Sequence, residues 1–292
     1  MSPQNSRAGI AFMLITTLIF AVQDAISRHL AVSYSILTIV MFRYWFFAAF
    51  VTLRSAAQPG GVARVARSGA PGLQIFRGVL LVAEVCVMVT GFKLLGLVES
   101  HAIFACYPLI VAALSGPVLG ERVGWRRWLA VVAGLIGVLI VLRPGLKVFA
   151  PEALVPLAAA CMFALYGLLT RRVAAWDRPE TSLFYTAVAG AAAVTLFAPF
   201  SWTPMTTAAD WAWMGALCVT GALGHYTLIK AYDLAEASTV QPFAYFQLVF
   251  AAALGIAVFG EVLEWPVAAG AALIIAAGLF TAWRTRTRAR SV

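Results

Sequence analysis

The sequence predicts an all-α integral membrane protein of ten transmembrane helices, arranged as two inverted five-helix repeats. Three observations carry that expectation. A long apolar stretch occurs twice, as HAIFACYPLIVAALSGPVLGERVGWRRWLAVVAGLIGVLIVL (101–142) and VQPFAYFQLVFAAALGIAVFGEVLEWPVAAGAALIIAAGLF (240–280), and Gly120-Glu121 with Trp125 matches Gly260-Glu261 with Trp265 at an offset of 140 residues. The chain is 62% hydrophobic and 11% charged, against about 25% charged in an ordinary soluble domain. Ten apolar runs divide into five per copy, an odd number, so the second copy must enter the bilayer upside down relative to the first.

The runs fall at 9–30, 35–53, 72–92, 98–118, 124–142, 151–170, 181–199, 209–231, 239–259 and 265–283. Each is close to the roughly 20 residues that cross a hydrocarbon core. Backbone in lipid must satisfy its hydrogen bonds within the segment, so the runs are helices. Gln58-Pro59-Gly60-Gly61, Arg143-Pro144-Gly145 and Ser201–Pro204 punctuate them. The longest gap, Arg54–Pro71, leaves no room for a soluble domain. The halves are residues 1–145 and 146–292, the second ending in a basic tail, and Lys93 and Glu99 echo in Lys230 and Glu236. The first run is too long for a signal-peptide core and is followed by nine more.

Lys and Arg set the orientation. With the N-terminus inside, fifteen of the 21 flank spans on the cytoplasmic side, four lie opposite, and Arg43 and Arg77 fall within spans. Both termini are therefore expected in the cytoplasm. The net charge of +9 is a topology signal, not the mark of a nucleic-acid binder. Cys86, Cys106, Cys161 and Cys218 all sit in apolar runs and are expected as buried free thiols; no pair has zinc-ligand spacing.

The repeated Gly-Glu, the Phe42-Arg43-Tyr44 element in the second span and the ten-span pattern resemble the drug/metabolite transporter superfamily, in its EamA-type branch of ten-helix carriers. FAVQDAISRHL (20–30) looks closest to YddG-type amino-acid exporters. The resemblance implies a multi-pass protein of a bacterial inner membrane and a cavity lined by helices 1, 3, 4, 6, 8 and 9. It also implies export of amino acids, aromatic and other apolar ones included. The second copy departs from the first in having Gln247-Leu248 where the first has Tyr107-Pro108, so the two halves should build different walls.

Ionisable groups within a span cost about 2.5–3.5 kcal/mol each on insertion scales, and so they single out candidate residues. Glu84 lies mid-span, seven residues after Arg77. It can pair with Arg77 or Arg43, hold a substrate ammonium, or take up a proton. Arg43 is expected to be structural, and Arg77, near a helix end, to snorkel outward. Gln23, Asp24, Ser27 and Thr16 lie along one side of helix 1. Asp24 can pair with Arg28 at i+4, and the Gln23 amide suits an amino-acid head group. Tyr107, Tyr166, His225, Gln241, Tyr245 and Gln247 complete the expected substrate wall, with packing as the alternative for each. Most tryptophans mark span ends.

The expected function is secondary transport by alternating access. A drug, nucleotide-sugar or other metabolite carrier is the alternative; a phosphorylated substrate wants more deep Lys and Arg than Arg43 and Arg77. GxxxxGK[ST], HExxH, GxGD and GxSxG are all missing from the chain, which argues against ATP hydrolysis and intramembrane catalysis. No cofactor and no metal are expected. The expected partners are the substrate and the bilayer, and the chain is expected as a monomer or a homodimer.

Overall fold

The computed structural model describes residues 6–119, 125–142, 151–234 and 241–289, and all regular structure among them is helical. α1 (Ser6–Ser33) and α2 (Ile36–Ala56) form a hairpin, followed by a short α3 (Gly61–Val65). α4 runs from Pro71 to Phe104 across a break at Gly96; α5 (Tyr107–Leu119) and α6 (Trp125–Leu142) follow. The later part of the chain supplies α7 (Leu154–Val173), α8 (Pro179–Phe197) and α9 (Ala208–Leu234). A 3-10 turn (Gln241–Tyr245) then leads into α10 (Phe246–Phe259) and α11 (Trp265–Ala289). Pro71 and Pro179 open their helices at the first turn, where a missing N–H costs nothing.

Five of these helices are long and apolar enough to cross a membrane: Arg7–Ser33, Ile36–Ala56, Pro71–Phe104, Pro151–Thr170 and Pro179–Ser201. Shorter apolar helices cover Val131–Val141, Phe243–Phe259 and Trp265–Phe280. The surface is apolar: Leu53, Leu196, Phe200, Val262 and Trp265 are all exposed, while Gln23, Arg43, Arg77, Glu84 and His101 are buried. That distribution suits lipid outside and a polar interior. Cys106 and Cys218 are buried as expected, whereas Cys161 faces outward; all four thiols are free.

Two spans differ from expectation. The run 98–118 is not one helix: it begins inside α4, turns at Ala105-Cys106 and resumes as α5. Pro108 has no N–H to give to the carbonyl of Phe104, so the α ladder cannot continue there. The run 239–259 is described from 241, and it too is interrupted, changing from 3-10 to α between Tyr245 and Phe246. These two interruptions are 140 residues apart, the offset of the Gly-Glu repeat. The first Gly-Glu, at 120–121, lies outside the described residues.

α1 packs along α9 and reaches α10; α7 packs along α4 and reaches α5. α2 meets α8 and α9, α8 also meets α4, and α6 runs beside α11. One apolar core joins Val98, Ile103, Leu109, Val138 and Ile274 across α4, α5, α6 and α11. A second joins Leu30, Ile39, Phe92 and Leu217 across α1, α2, α4 and α9.

Candidate functional site

The polar residues meet where α1, α2, α4, α9 and α10 come together at mid-length. Asp24 on α1 is the hub. Gln247 Nε2 donates to its Oδ2 at 3.1 Å, and His101 Nε2 stands 3.2 Å from the same oxygen without the alignment of a hydrogen bond. The expected Asp24–Arg28 pair does not form. Arg28 instead pairs with Glu261 and lies over the Phe259 ring at 4.1 Å. A carboxylate with a single turn of its own helix to choose from would take Arg28; packing brings closer partners to both.

A cavity of about 20 Å³, room for one water, opens between the two interrupted helices. His101, Phe104, Tyr107 and Pro108 line it from one, and Tyr245, Gln247 and Leu248 from the other. Discontinuous helices at matching positions of a repeat are where membrane carriers place their substrates. From this cavity a file of aromatic rings runs through Phe104, Tyr107 and Phe163 to Tyr166, with centroids 4.9–6.0 Å apart. Tyr245 lines the cavity with its ring, but its hydroxyl is buried against Gly278 without a hydrogen-bond partner among the described residues.

A second, smaller cavity is lined by Arg43, Tyr44, Phe47, Cys218, Gly221 and His225. Gly221 lets α9 approach closely: a Cβ there would sit 3.3 Å from Gln23 Oε1 and 3.4 Å from Arg43 Nε. His225 stacks on Phe47 at 5.2 Å and meets the edge of Phe20. Glu84 is 4% exposed and forms no hydrogen bond or ion pair among the described residues; Asp24 and Arg43 are the charges that act on it. The expected pair with Arg77 or Arg43 is therefore not made.

Arg77 does not snorkel. It is 1% exposed, and its guanidinium donates to Gln74 Oε1, Tyr166 OH, Thr170 Oγ1 and the Ser182 carbonyl at 2.5–3.2 Å. Tyr166 thus turns its hydroxyl toward Arg77 and its ring toward Phe163. Gln74 passes the contact on, donating at 2.7 Å to Asp177 in the loop before α8. Burial alone raises the Asp177 carboxyl, but hydrogen bonds from Gln74, Ser68 and the Gly69 N–H, with Arg77 nearby, outweigh it and hold the group below its usual range. At the other end Glu261 accepts the N–H groups of Leu97 and Val98 at 2.9 and 2.8 Å. These are orphan donors of the segment that restarts after Gly96, whose φ of +81° is a left-handed conformation suited to glycine.

Of the expected wall, Tyr107, Tyr245 and Gln247 come together with His101 and with Asp24, a residue expected as a structural or coupling charge. Gln23 and His225 gather at the second cavity with Arg43, expected as structural, and Tyr166 stands apart beside Arg77. The Gln241 side chain lies outside the described residues. The sequence reading missed His101, Phe104, Phe163, Gln74 and Glu261; the repeated Gly-Glu was the available signal for the last.

A lipid-facing helical bundle with buried charges at the junction of interrupted helices is the build of a membrane transporter. The profile of the EamA-like transporter family matches residues 7–143 and again 151–283, and the chain belongs to that family. It is 26% identical over 272 residues to an S-adenosylmethionine uptake transporter of Rickettsia prowazekii (strain Madrid E), covering 93% of this chain and 91% of that one. It is 27% identical over 284 residues to a riboflavin transporter of Vibrio cholerae serotype O1, covering 97% and 95%. A solved crystal structure superposes with a TM-score of 0.67 at 18% identity over 94% of this chain and 96% of that one, which shows the fold alone. These named relatives do not support amino-acid export in particular.

Proposed function

We propose that this chain is a ten-span secondary transporter of a bacterial inner membrane, built from inverted units at 1–145 and 146–292 with both termini in the cytoplasm. Its substrate in this reading is a small metabolite that carries a planar ring and a positive charge, of the S-adenosylmethionine class. The pairing of helices supports the inverted repeat. Exchanging each helix for its counterpart turns the α1 contacts with α9 and α10 into the α7 contacts with α4 and α5, and leaves α2–α8 and α6–α11 paired with themselves.

One observation carries the substrate reading: the half-buried carboxylate of Asp24 meets Gln247 and His101 on the wall of a cavity lined by aromatic rings, and the buried Glu84 carboxyl lies within its electrostatic reach. A cation answers the carboxylates, and a planar ring stacks on Phe104, Tyr107 or Phe163. Riboflavin is the second reading: its flat ring fits the same wall, and its hydroxyls suit Asp24 and Gln247. Neutral apolar amino acids, expected from the sequence, use less of this site.

The test is counterflow into proteoliposomes loaded with unlabelled solute. Labelled S-adenosylmethionine should accumulate above riboflavin and above phenylalanine, and Asp24→Asn should lower its uptake about tenfold or more. Accumulation of riboflavin without S-adenosylmethionine transfers the assignment to the second reading.

A further inference from the structure

Arg43, Glu84 and Gln23 pose a problem that the ring-and-cation reading does not solve. All three are at least nine-tenths buried. Arg43 and Glu84 form no hydrogen bond or ion pair among the described residues, and Gln23 Oε1 is a buried acceptor without a donor. They do not satisfy one another. Leaving such groups unmade costs more than a neutral hydrogen bond returns, so a site that keeps three of them holds them for something that enters.

We propose that Arg43, Glu84 and Gln23 form a head-group subsite for a zwitterionic α-amino-acid group, next to the aromatic cavity that takes the rest of the molecule. The proposal rests on the transporter reading and narrows its substrate. The guanidinium fork of Arg43 matches a carboxylate, with two parallel N–H donors on two oxygens. Glu84 and the Gln23 carbonyl are acceptors for an ammonium. The missing Cβ of Gly221 lets the Gln23 carbonyl and the Arg43 guanidinium converge on one point of α9.

Charge sets the class further. In this belt two carboxylates, Asp24 and Glu84, lie within electrostatic reach of each other, and Glu84 also of one guanidinium, Arg43, with Gln247 neutral beside Asp24. His101 on α4 and His225 on α9 are the remaining titratable neighbours, with Cys86, Cys218, Tyr44 and Tyr245. A simple cation leaves Arg43 unpaired, and a simple anion leaves both carboxylates unpaired. A solute with one carboxylate and two cationic centres is the inverse of the belt, and an amino acid bearing a sulfonium has that pattern.

The experiment is calorimetric titration of the full-length protein in nanodiscs, at neutral pH, with matched ligands. The probes are S-adenosylmethionine, its decarboxylated analogue, 5′-methylthioadenosine, L-methionine and L-methionine methyl ester. The expected result is that removing the carboxylate weakens binding of the wild type about tenfold or more. The ring-only 5′-methylthioadenosine should bind no better than the decarboxylated analogue. Arg43→Gln should abolish the preference for the carboxylate while a melting curve shows the variant folded; the ligand comparison in the wild type stands without it.

If S-adenosylmethionine and its decarboxylated analogue bind equally, the subsite is overturned and the ring-and-cation reading survives. If methionine binds, and its ester does not, while the adenosyl compounds fail, the subsite stands and the ring reading falls. If none of the five binds to folded protein, both fall, and the buried groups are satisfied by water alone.

Discussion

At one end of the bundle Arg28 meets Glu261, and the same carboxylate caps Leu97 and Val98 at the break in α4. At the other end Arg77 is held by four neutral acceptors on α4, α7 and α8, and Gln74 links it to Asp177. The first closure concentrates its hold in one ion pair; the second spreads it over many small contacts. An ion pair gives up little when water enters, because each charge is then hydrated. A guanidinium wrapped in neutral dipoles must lose several fitted hydrogen bonds before α4 and α7 separate. The two ends of one carrier can thus be closed by contacts of different cooperativity, and the ion pair is the simpler catch to release.

The largest effect that sharpens this contrast belongs to Glu261. Glu261→Gln removes the partner of Arg28 and weakens the cap on Leu97 and Val98, and it should cost about 3 kcal/mol in denaturant unfolding of the purified protein. A loss below about 1 kcal/mol, within the range of an exposed pair, breaks the contrast, since the pair would then hold no more than one hydrogen bond of the opposite end.

The smaller effect lies at Asp177. Asp177→Asn should cost about 1 kcal/mol at pH 7, because Gln74, Ser68 and Gly69 donate to the carboxylate. The folded-state carboxyl is depressed, so its contribution is present above the unfolded value of about 3.9. It is lost as the pH falls through the folded value. Melting temperatures of wild type and variant should therefore differ at neutral pH and converge in acid below pH 3.9. A difference that persists unchanged in acid removes Asp177 from the closure.

The build of an all-helical membrane transporter was legible because it rests on repetition and composition, which a sequence displays directly: the doubled Gly-Glu and the long apolar runs. Asp24 and Glu84 were legible as costly residues in a span. Their partners were not. Asp24 and Arg28 share a helix, yet helices distant in the chain bring His101 and Glu261 closer, and periodicity within one helix carries no information about that. Arg77 and Glu84 lie on one face seven residues apart, but the Gln74, Tyr166 and Thr170 dipoles already surround the guanidinium. No spacing in the sequence marks His101; the turn at Ala105-Cys106 places it on the cavity. Pro108 stands at the first interruption and accounts for it; Tyr245-Phe246 interrupts its helix at the matching point, where Leu248 takes the place of that proline.

Alternating access to one mid-bundle site is tested most directly at Cys218, which lines the second cavity beside Arg43 and Gly221. With Cys86, Cys106 and Cys161 replaced by alanine, a membrane-impermeant maleimide is added to right-side-out and to inside-out vesicles, with and without S-adenosylmethionine. Labelling of Cys218 from both faces, slowed by the solute, is the expected result. Labelling from one face alone, at a rate the solute leaves unchanged, contradicts it.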